Sequence, residues 1–387
     1  METVKLSELV DIYLGLTHTP EYVLQGVPFL SVKDISNGKI DFSKCNYITK
    51  EEYNSLPNGA KPQTGDMLFC RVGTIGKPVI IEPETPRFGS FVSLGFFRLK
   101  SNNLCKLKYL YYWMYSNSFF SQVKQNVKGA SQVNLNTGWL SKFDVPLCSI
   151  EEQEDIICKL EYLDNLSLMR KQQLSKLDEL VKSRFIELFG NDDYPSEPLN
   201  NNIIEMFIGP FGSSLKNEYF VDKSDGYCMV YEQKHAIQKT MSVPTRYVPK
   251  SKYEELKRFT VFGGDIIVSC RGTIGEVFTV PFDAPMGIMH PSIMKIRLDT
   301  NKYNQKFFVF ALEQYMNEHN AEAKGSGVKM AVSATVLGQS DFVIPPMDVQ
   351  NQFATFVEQT DKLKCEVKES LEKLETLKKS LMQKYFG

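Results

Sequence analysis

No two of the eight cysteines, at 45, 70, 105, 148, 158, 228, 270 and 365, are spaced as CxxC. That scatter excludes a zinc ribbon or a CxxC redox centre, and in a chain of 387 residues it favours free thiols over a disulfide framework. There is no GxxxxGKS/T phosphate loop and no GxGxxG dinucleotide turn, so nucleotide binding has no local anchor. Histidine is scarce. His18, His235, His290 and His319 have no Ser or Cys at a triad spacing, which argues against a histidine-based hydrolase. No apolar run is long enough to span a bilayer. The opening METVKLSELV lacks the basic and apolar regions of a signal peptide. Both absences point to the cytoplasm. Net charge is also missing: Lys+Arg 45 against Asp+Glu 46 gives −1, which excludes a protein that coats nucleic acid indiscriminately.

What is present is repetition. Residues 65–76 read GDMLFCRVGTIG, and residues 264–275, 199 positions later, read GDIIVSCRGTIG, with six of twelve identical. The stretch KLDELVKSRFIELFG (176–190) matches KLETLKKSLMQKYFG (373–387) at seven of fifteen. Each half therefore reads as a mixed α+β globule followed by one long helix. Runs rich in β-branched and aromatic residues predict strands at Val27–Val32, Met67–Arg71, Val79–Ile81 and Phe91–Leu99. Their counterparts are Tyr227–Tyr231, Ile266–Cys270, Val277–Val280 and Ser292–Leu298. Shorter helices are expected at Lys106–Val123 and near Lys302–Asn320. Residues 1–149 carry a small basic excess and residues 191–342 a small acidic one, so any DNA binding must rest on local placement of charge or on partners.

The long helices show their starts. Ser149 with Glu152 is a capping box, and Asp348, 199 positions on, takes the N-cap place after Pro345 and Pro346. Gly190 and Gly387 stand where a left-handed terminating residue is expected. Phe356, Thr360, Leu363, Val367, Ser370, Leu374, Leu377 and Leu381 follow the 4-3 spacing of a coiled-coil seam. Leu163, Leu166, Leu174, Leu177, Leu180, Val181, Phe185 and Leu188 form a broader stripe, with Arg170 and Gln173 where apolar residues belong. One reading is an amphipathic helix laid on its own globule. The other, preferred because two stripes of this length would otherwise be exposed, is mutual pairing, chiefly through Leu163, Leu166, Leu177, Leu180, Leu363, Val367, Leu374 and Leu377. Similar halves packed about a pseudo-twofold axis make the helices antiparallel. The expected fold is thus α+β: two similar globules separated by two long helices packed as an antiparallel coiled coil, pseudo-twofold symmetric. Its segments are 1–148, 149–190, 191–346 and 347–387.

Three pairs of loops carry candidate nucleic-acid contacts. The hairpin 71–78 offers Arg71, Gly73, Thr74 and Lys77; its copy offers Arg271 and Thr273, with Arg71 aligned to Cys270 and Arg271 displaced onto the other face. A hairpin needed only for folding explains the same glycines. In 128–137, Gln132, Asn134 and Asn136 have amides able to read adenine, and opposite them Ser326 and Lys329 could hold phosphate; a merely solvated loop has the same composition. The third pair sets Ser31, Lys33 and Asp34 against Glu232, Gln233, Lys234 and His235, loops that differ as two distinct half-sites demand and as ordinary drift also produces. The sequence Ile344-Pro345-Pro346-Met347 lacks the polar first residue and the final aromatic of an amino-methyltransferase loop, and reads as a helix entry.

Taken in order, these elements resemble the specificity subunit of type I restriction–modification systems. The resemblance rests on the duplicated GD…GTIG segments, the Pro-x6-Gln entries Pro146–Gln153 and Pro345–Gln352, and the closing KL…FG helices. It implies a subunit without catalysis of its own. Each globule would read half of a split site in double-stranded DNA, and the helices would fix the spacer. The implied partners are two methyltransferase subunits, which use S-adenosylmethionine to methylate adenine, and two restriction (helicase-nuclease) subunits, which use ATP and Mg. No cofactor or metal is expected on this chain. Two alternatives stay open: a coiled-coil interaction scaffold or silent, phase-variable copy, and a stand-alone methyltransferase or nuclease, which the missing motifs disfavour.

Overall fold

The computed structural model describes residues 2–36, 38–126, 134–191, 194–271, 273–326 and 333–387, with side chains except at 36 and 319–326. Contacts divide the chain into Met1–Gln172 with Val367–Gly387 (unit 1) and Gln173–Glu366 (unit 2).

In unit 1, Met67–Cys70 is apolar at every position because both of its faces are covered. Side chains alternate along the strand: Met67 and Phe69 enter a helix-packed core with Trp113 and Phe119, whereas Leu68 and Cys70 enter a second core with Leu30 and Phe96. The strand lies in an antiparallel sheet ordered Val10–Leu14, Leu94–Leu99, Met67–Cys70, Gly76–Ile80. A second sheet, ordered Asn46–Ile48, Val27–Leu30, Gly89–Ser90, contains one parallel pairing, Phe29 opposite Gly89. Glu2–Lys5 pairs with Asp144–Leu147 at the root of the first long helix.

Unit 2 repeats this plan. Its first sheet runs Ile203–Ile208, Ile293–Leu298, Ile266–Ser269, Val277–Thr279, and its second Tyr247–Val248, Cys228–Tyr231, Gly287–Met289, Thr260–Val261. Ser196–Pro198 pairs with Asp341–Val343. The expected helix 106–123 is instead two, Leu107–Trp113 and Asn117–Asn126, because the Ser116 hydroxyl accepts from the Phe119 N–H at 3.2 Å and starts a new helix. Its counterpart, Gln305–Ser326, is unbroken.

The GD signature is a folding device in both units. Gly65 (φ 81) and Gly264 (φ 89) occupy the left-handed region. The next residues, Asp66 and Asp265, are 2% exposed. Asp66 accepts from the Gln63 N–H at 2.8 Å, Asp265 from the Phe262 N–H at 2.8 Å, and each receives a bidentate guanidinium, Arg98 or Arg297.

The long helices are Ile150–Phe189 and Met347–Phe386, each 40 residues. The reciprocal bonds of the Ser149–Glu152 capping box are present at 3.1 and 3.2 Å. In the second helix the start differs from expectation: Asp348 lies inside the first turn, and Pro346 supplies the first carbonyl, to Gln350 N–H at 3.1 Å. The offset between repeats has changed from 199 in the strands to 197 in the helices, so Gln350 and not Gln352 is the partner of Gln153. Both are fully buried. Gln153 binds the Lys106 N–H and the Leu104 and Cys148 carbonyls; Gln350 binds the Asn304 N–H and the Lys302 and Pro345 carbonyls. Gly387 is left-handed (φ 87), but Gly190 is not, its N–H continuing the ladder to the Ile186 carbonyl at 2.7 Å.

Within each unit the helix segments pair antiparallel. In unit 1 Asp164 meets Lys378, and Lys171 meets Glu375 at 3.9 Å; in unit 2 Asp178 meets Lys364 at 2.7 Å while Phe185 reaches Phe353, 5.4 Å between centroids. The seam of the second helix differs from the expected one. Phe356, Thr360, Val367, Ser370, Leu374 and Leu381 are buried or half-buried as expected, and they are joined by Phe353, Val357, Lys364, Leu371, Lys378 and Tyr385. Leu363 and Leu377 are each 49% exposed, because Lys364 and Lys378 lay their stems in the seam and send their ammonium groups to aspartates on the facing helix. On the first helix Leu163, Leu166 and Leu177 are buried or half-buried, but Leu180 is 49% exposed and the neighbouring Val181 takes the inner place. The helix ends also close the cores: Phe386 packs on Tyr109 in unit 1, and Phe189 on Phe307 in unit 2.

Candidate nucleic-acid interfaces

In each unit the loops that follow three strands meet at one edge, held by a single serine. In unit 1 Ser93 Oγ accepts from the Val32 N–H at 3.2 Å and its carbonyl from the Arg71 N–H at 3.0 Å. In unit 2 Ser292 does the same for Gln233 (3.4 Å) and Cys270 (2.8 Å). The structure thereby sets Ser31 opposite Glu232 and Asp34 opposite His235. Asp34 Oδ2 accepts from the Ser31 N–H at 2.7 Å, and His235 Nδ1 from the Glu232 N–H at 3.0 Å. The same turn is made with an acid in one unit and an imidazole in the other.

The expected contact residues separate into internal and outward-facing groups. Arg71 is 8% exposed and turned inward: Nε donates to the Leu135 carbonyl (2.8 Å), one terminal nitrogen to the Val92 carbonyl (2.8 Å) and the other to Asn134 Oδ1 (3.0 Å). Burial pulls its guanidinium below the ordinary value. Arg71 is therefore a staple across three loops, unable to reach a ligand directly. It does orient Asn134: a donor-only guanidinium fixes Oδ1 inward, which turns the exposed amide nitrogen outward. Asn136 caps the helix Thr137–Leu140 by accepting from the Gly138 N–H at 2.7 Å. Asp34 is 4% exposed and serves its turn, with Ser31 as the cap; Lys33 and Thr74 face solvent. Gly73 (φ 72), Gly76 (φ 85) and Lys77 (φ 47) shape the hairpin, Lys77 half-buried. Gln132 and Lys329 lie outside the described residues, as does the Ser326 side chain.

In unit 2 Arg271 and Thr273 are exposed, whereas Cys270, in the place of Arg71, is 4% exposed. Glu232, 7% exposed, is the centre of a charged cluster, pairing with Lys234 at 2.7 Å and with Arg246. Burial raises its carboxyl, but the bonds from Lys234 and Arg246 outweigh that and hold it below 4.5. His235 and His290 are both kept below the ordinary value by burial. The Nδ1 of His290 accepts from the Ser292 N–H at 3.2 Å. Gln233 is half-buried beside them. Arg246, Asn217 and Phe220 were not legible in advance: Arg246 reaches partners 14 and 29 residues away, and nothing local marks it.

Among the described residues no His, Cys, Asp or Glu group could hold a metal ion, and no helix is long and apolar enough to cross a membrane. The family model of the type I restriction modification DNA specificity domain matches residues 1–179 and 223–378. The chain is 23% identical to a putative type I restriction enzyme MjaX specificity subunit of Methanocaldococcus jannaschii, over 98% of this chain and 91% of that protein. It is 24% identical to the EcoBI specificity subunit of Escherichia coli, over 45% of this chain and 37% of that one. In fold it is similar to a solved S subunit from M. genitalium (TM-score 0.54, 15% identity, 100% and 96% of the two chains). A chain from work on complex assembly and conformational transition of the type I R-M system gives TM-score 0.66 at 14% identity, over 100% and 97%. With two matches to one family model falling on two units of one architecture, the chain belongs to the type I restriction–modification DNA specificity family and is a specificity subunit with two DNA-recognition domains.

Proposed function

We propose that unit 1 and unit 2 each read one half of a bipartite site in double-stranded DNA through the major groove, and that the two long helices set the unread spacer between the halves. The carrying observation is that the same three-loop edge is built twice on one scaffold and furnished differently: stapled by Arg71 to carbonyl and amide acceptors in one unit, ion-paired around Glu232 in the other. The chain positions a target adenine and performs no chemistry itself. Two methyltransferase subunits supply S-adenosylmethionine and extrude the base, and two restriction subunits supply ATP- and Mg-dependent translocation and cleavage. A net charge of −1 accords with a subunit that needs those partners to complete a clamp on DNA. The setting is cytoplasmic.

Adenine methylation mapped genome-wide in the host, with and without this gene, tests the proposal. Loss of methylation at a split motif is the expected result. An unchanged methylome overturns it, as does methyl transfer by the isolated chain.

A further inference from the structure

In unit 2 one side chain is held as a fixed fork at the edge where the loops meet. The Arg246 guanidinium lies over the Phe220 ring, its central carbon 3.8 Å from the centroid. One terminal nitrogen donates to Asn217 Oδ1 at 3.2 Å and the other to the Glu232 carboxylate. Glu232 is in turn held by Lys234 at 2.7 Å. Stacking fixes the plane of the group and the two hydrogen bonds fix its rotation within that plane. Those bonds use two of the five guanidinium N–H donors, so donors remain for a ligand. The side chain is 32% exposed, buried enough to be rigid and open enough to be reached. The Arg246 carbonyl accepts from the Val230 N–H at 2.9 Å, which places it beside the strand end that carries Glu232. His290, Arg271 and Lys234 belong to the same electrostatic neighbourhood.

We infer that Arg246 is a specificity-determining residue of unit 2, reading the O6 and N7 acceptors of a guanine in its half-site, with Glu232, Asn217 and Phe220 as its supports. A planar donor fork matches two acceptors on one base edge, and only guanine presents two adjacent acceptors in the major groove. A lysine would deliver the same charge without the fork. Phosphate contact alone would not require the group to be locked in both plane and rotation. Among the described residues of unit 1, the turn equivalent to Glu232 holds Ser31, Arg71 faces inward, and Arg98, also held over a ring, that of Tyr13, spends its fork on the buried Asp66.

The inference rests on the reading of unit 2 as a DNA half-site reader, and one experiment separates the two. Methylomes are compared in hosts carrying the full chain with its own partner subunits, as wild type, Arg246→Lys and Arg246→Ala. The expected wild-type motif has a fixed G·C pair in one half. Arg246→Lys, which keeps the charge and its pairing with Glu232, is expected to relax that position by at least about tenfold in methylation preference while the other half stays fixed. An unchanged motif in Arg246→Lys overturns the inference and leaves the half-site reading standing. So does a uniform loss in Arg246→Ala that lysine restores, which marks a phosphate contact. Equal relaxation of both halves also overturns it. A wild-type chain that directs no split motif sinks the half-site reading, and the inference with it.

Discussion

Phe96 in unit 1 and Lys295 in unit 2 hold the same place in the same sheet, opposite Leu68 and Ile267 respectively. Phe96 stacks on Tyr13 at 4.9 Å. Lys295, 1% exposed, occupies that place with an aliphatic stem, its ammonium tied to Glu205 at 2.6 Å and to the Thr260 carbonyl at 2.8 Å. The recognition edges differ likewise, by an internal staple at Arg71 and an ion cluster at Glu232. What the units share is narrower than their resemblance suggests: glycine turns, the buried aspartate–arginine forks, the linking serines and the glutamine hubs at the helix roots. Those fix the backbone. Packing chemistry and surface chemistry are then free to diverge.

The comparison breaks first at the aromatic plugs. Among the described residues Phe189 meets the rings of Phe185, Tyr194, Phe307 and Phe353, whereas Phe386 meets that of Tyr109 alone. Phe189→Ala is expected to destabilise unit 2 by about 3–5 kcal/mol, and Phe386→Ala to cost unit 1 less. Hydrogen exchange at Ile266–Ser269 and at Met67–Cys70 reports the two units separately; equal losses would mean the plugs are equivalent. Next comes the staple. Arg71→Met strands three acceptors and should cost about 1.5–3 kcal/mol in urea denaturation. Cys270→Ser, at the same place in unit 2, should cost clearly less.

Lys295→Met asks whether unit 2 needs its buried charge. Glu205 keeps Arg297 at 2.6 Å, so no carboxylate is abandoned, and the variant should be neutral or up to about 1 kcal/mol more stable. A large loss would show that the lysine supports the fold in a way Phe96 does not. The smallest effect concerns Glu232. Its folded-state pKa lies below 4.5, so its contribution is present above that value and lost as pH falls through the folded value. The stability gap between wild type and Glu232→Gln should therefore be full above the ordinary carboxylate range and close as pH falls through the lowered folded-state value.

Duplication made the architecture legible. The strand cores, the Ser149 capping box and two long helices all follow from periodicity and from matched segments. What misled was assuming a constant offset. A slip from 199 to 197 between strand and helix moved the cap from Asp348 to Pro346 and the hub from Gln352 to Gln350; the matched segments 176–190 and 373–387 already carry the 197 offset, and the hydrogen-bond partners show that it holds from the helix roots onward. Leu363 and Leu377 looked like seam residues because hydropathy ranks leucine above lysine, yet lysine stems fill a seam when a carboxylate waits across it. Site residues were least legible. Arg71 reads as a contact from its motif and proves internal, while Arg246 depends on partners far along the chain.

The placement of the two phenylalanine plugs has a consequence for each half on its own. Phe189 and Phe386 are equivalent, 197 positions apart, yet each seals the globule of the other repeat. A 40-residue helix rises about 60 Å, so neither plug can swing back to its own root. A single repeat would thus carry one open socket and one stopper cut for somebody else's. Two such molecules trading stoppers would leave nothing unsealed, and the present chain makes the same exchange within one polypeptide.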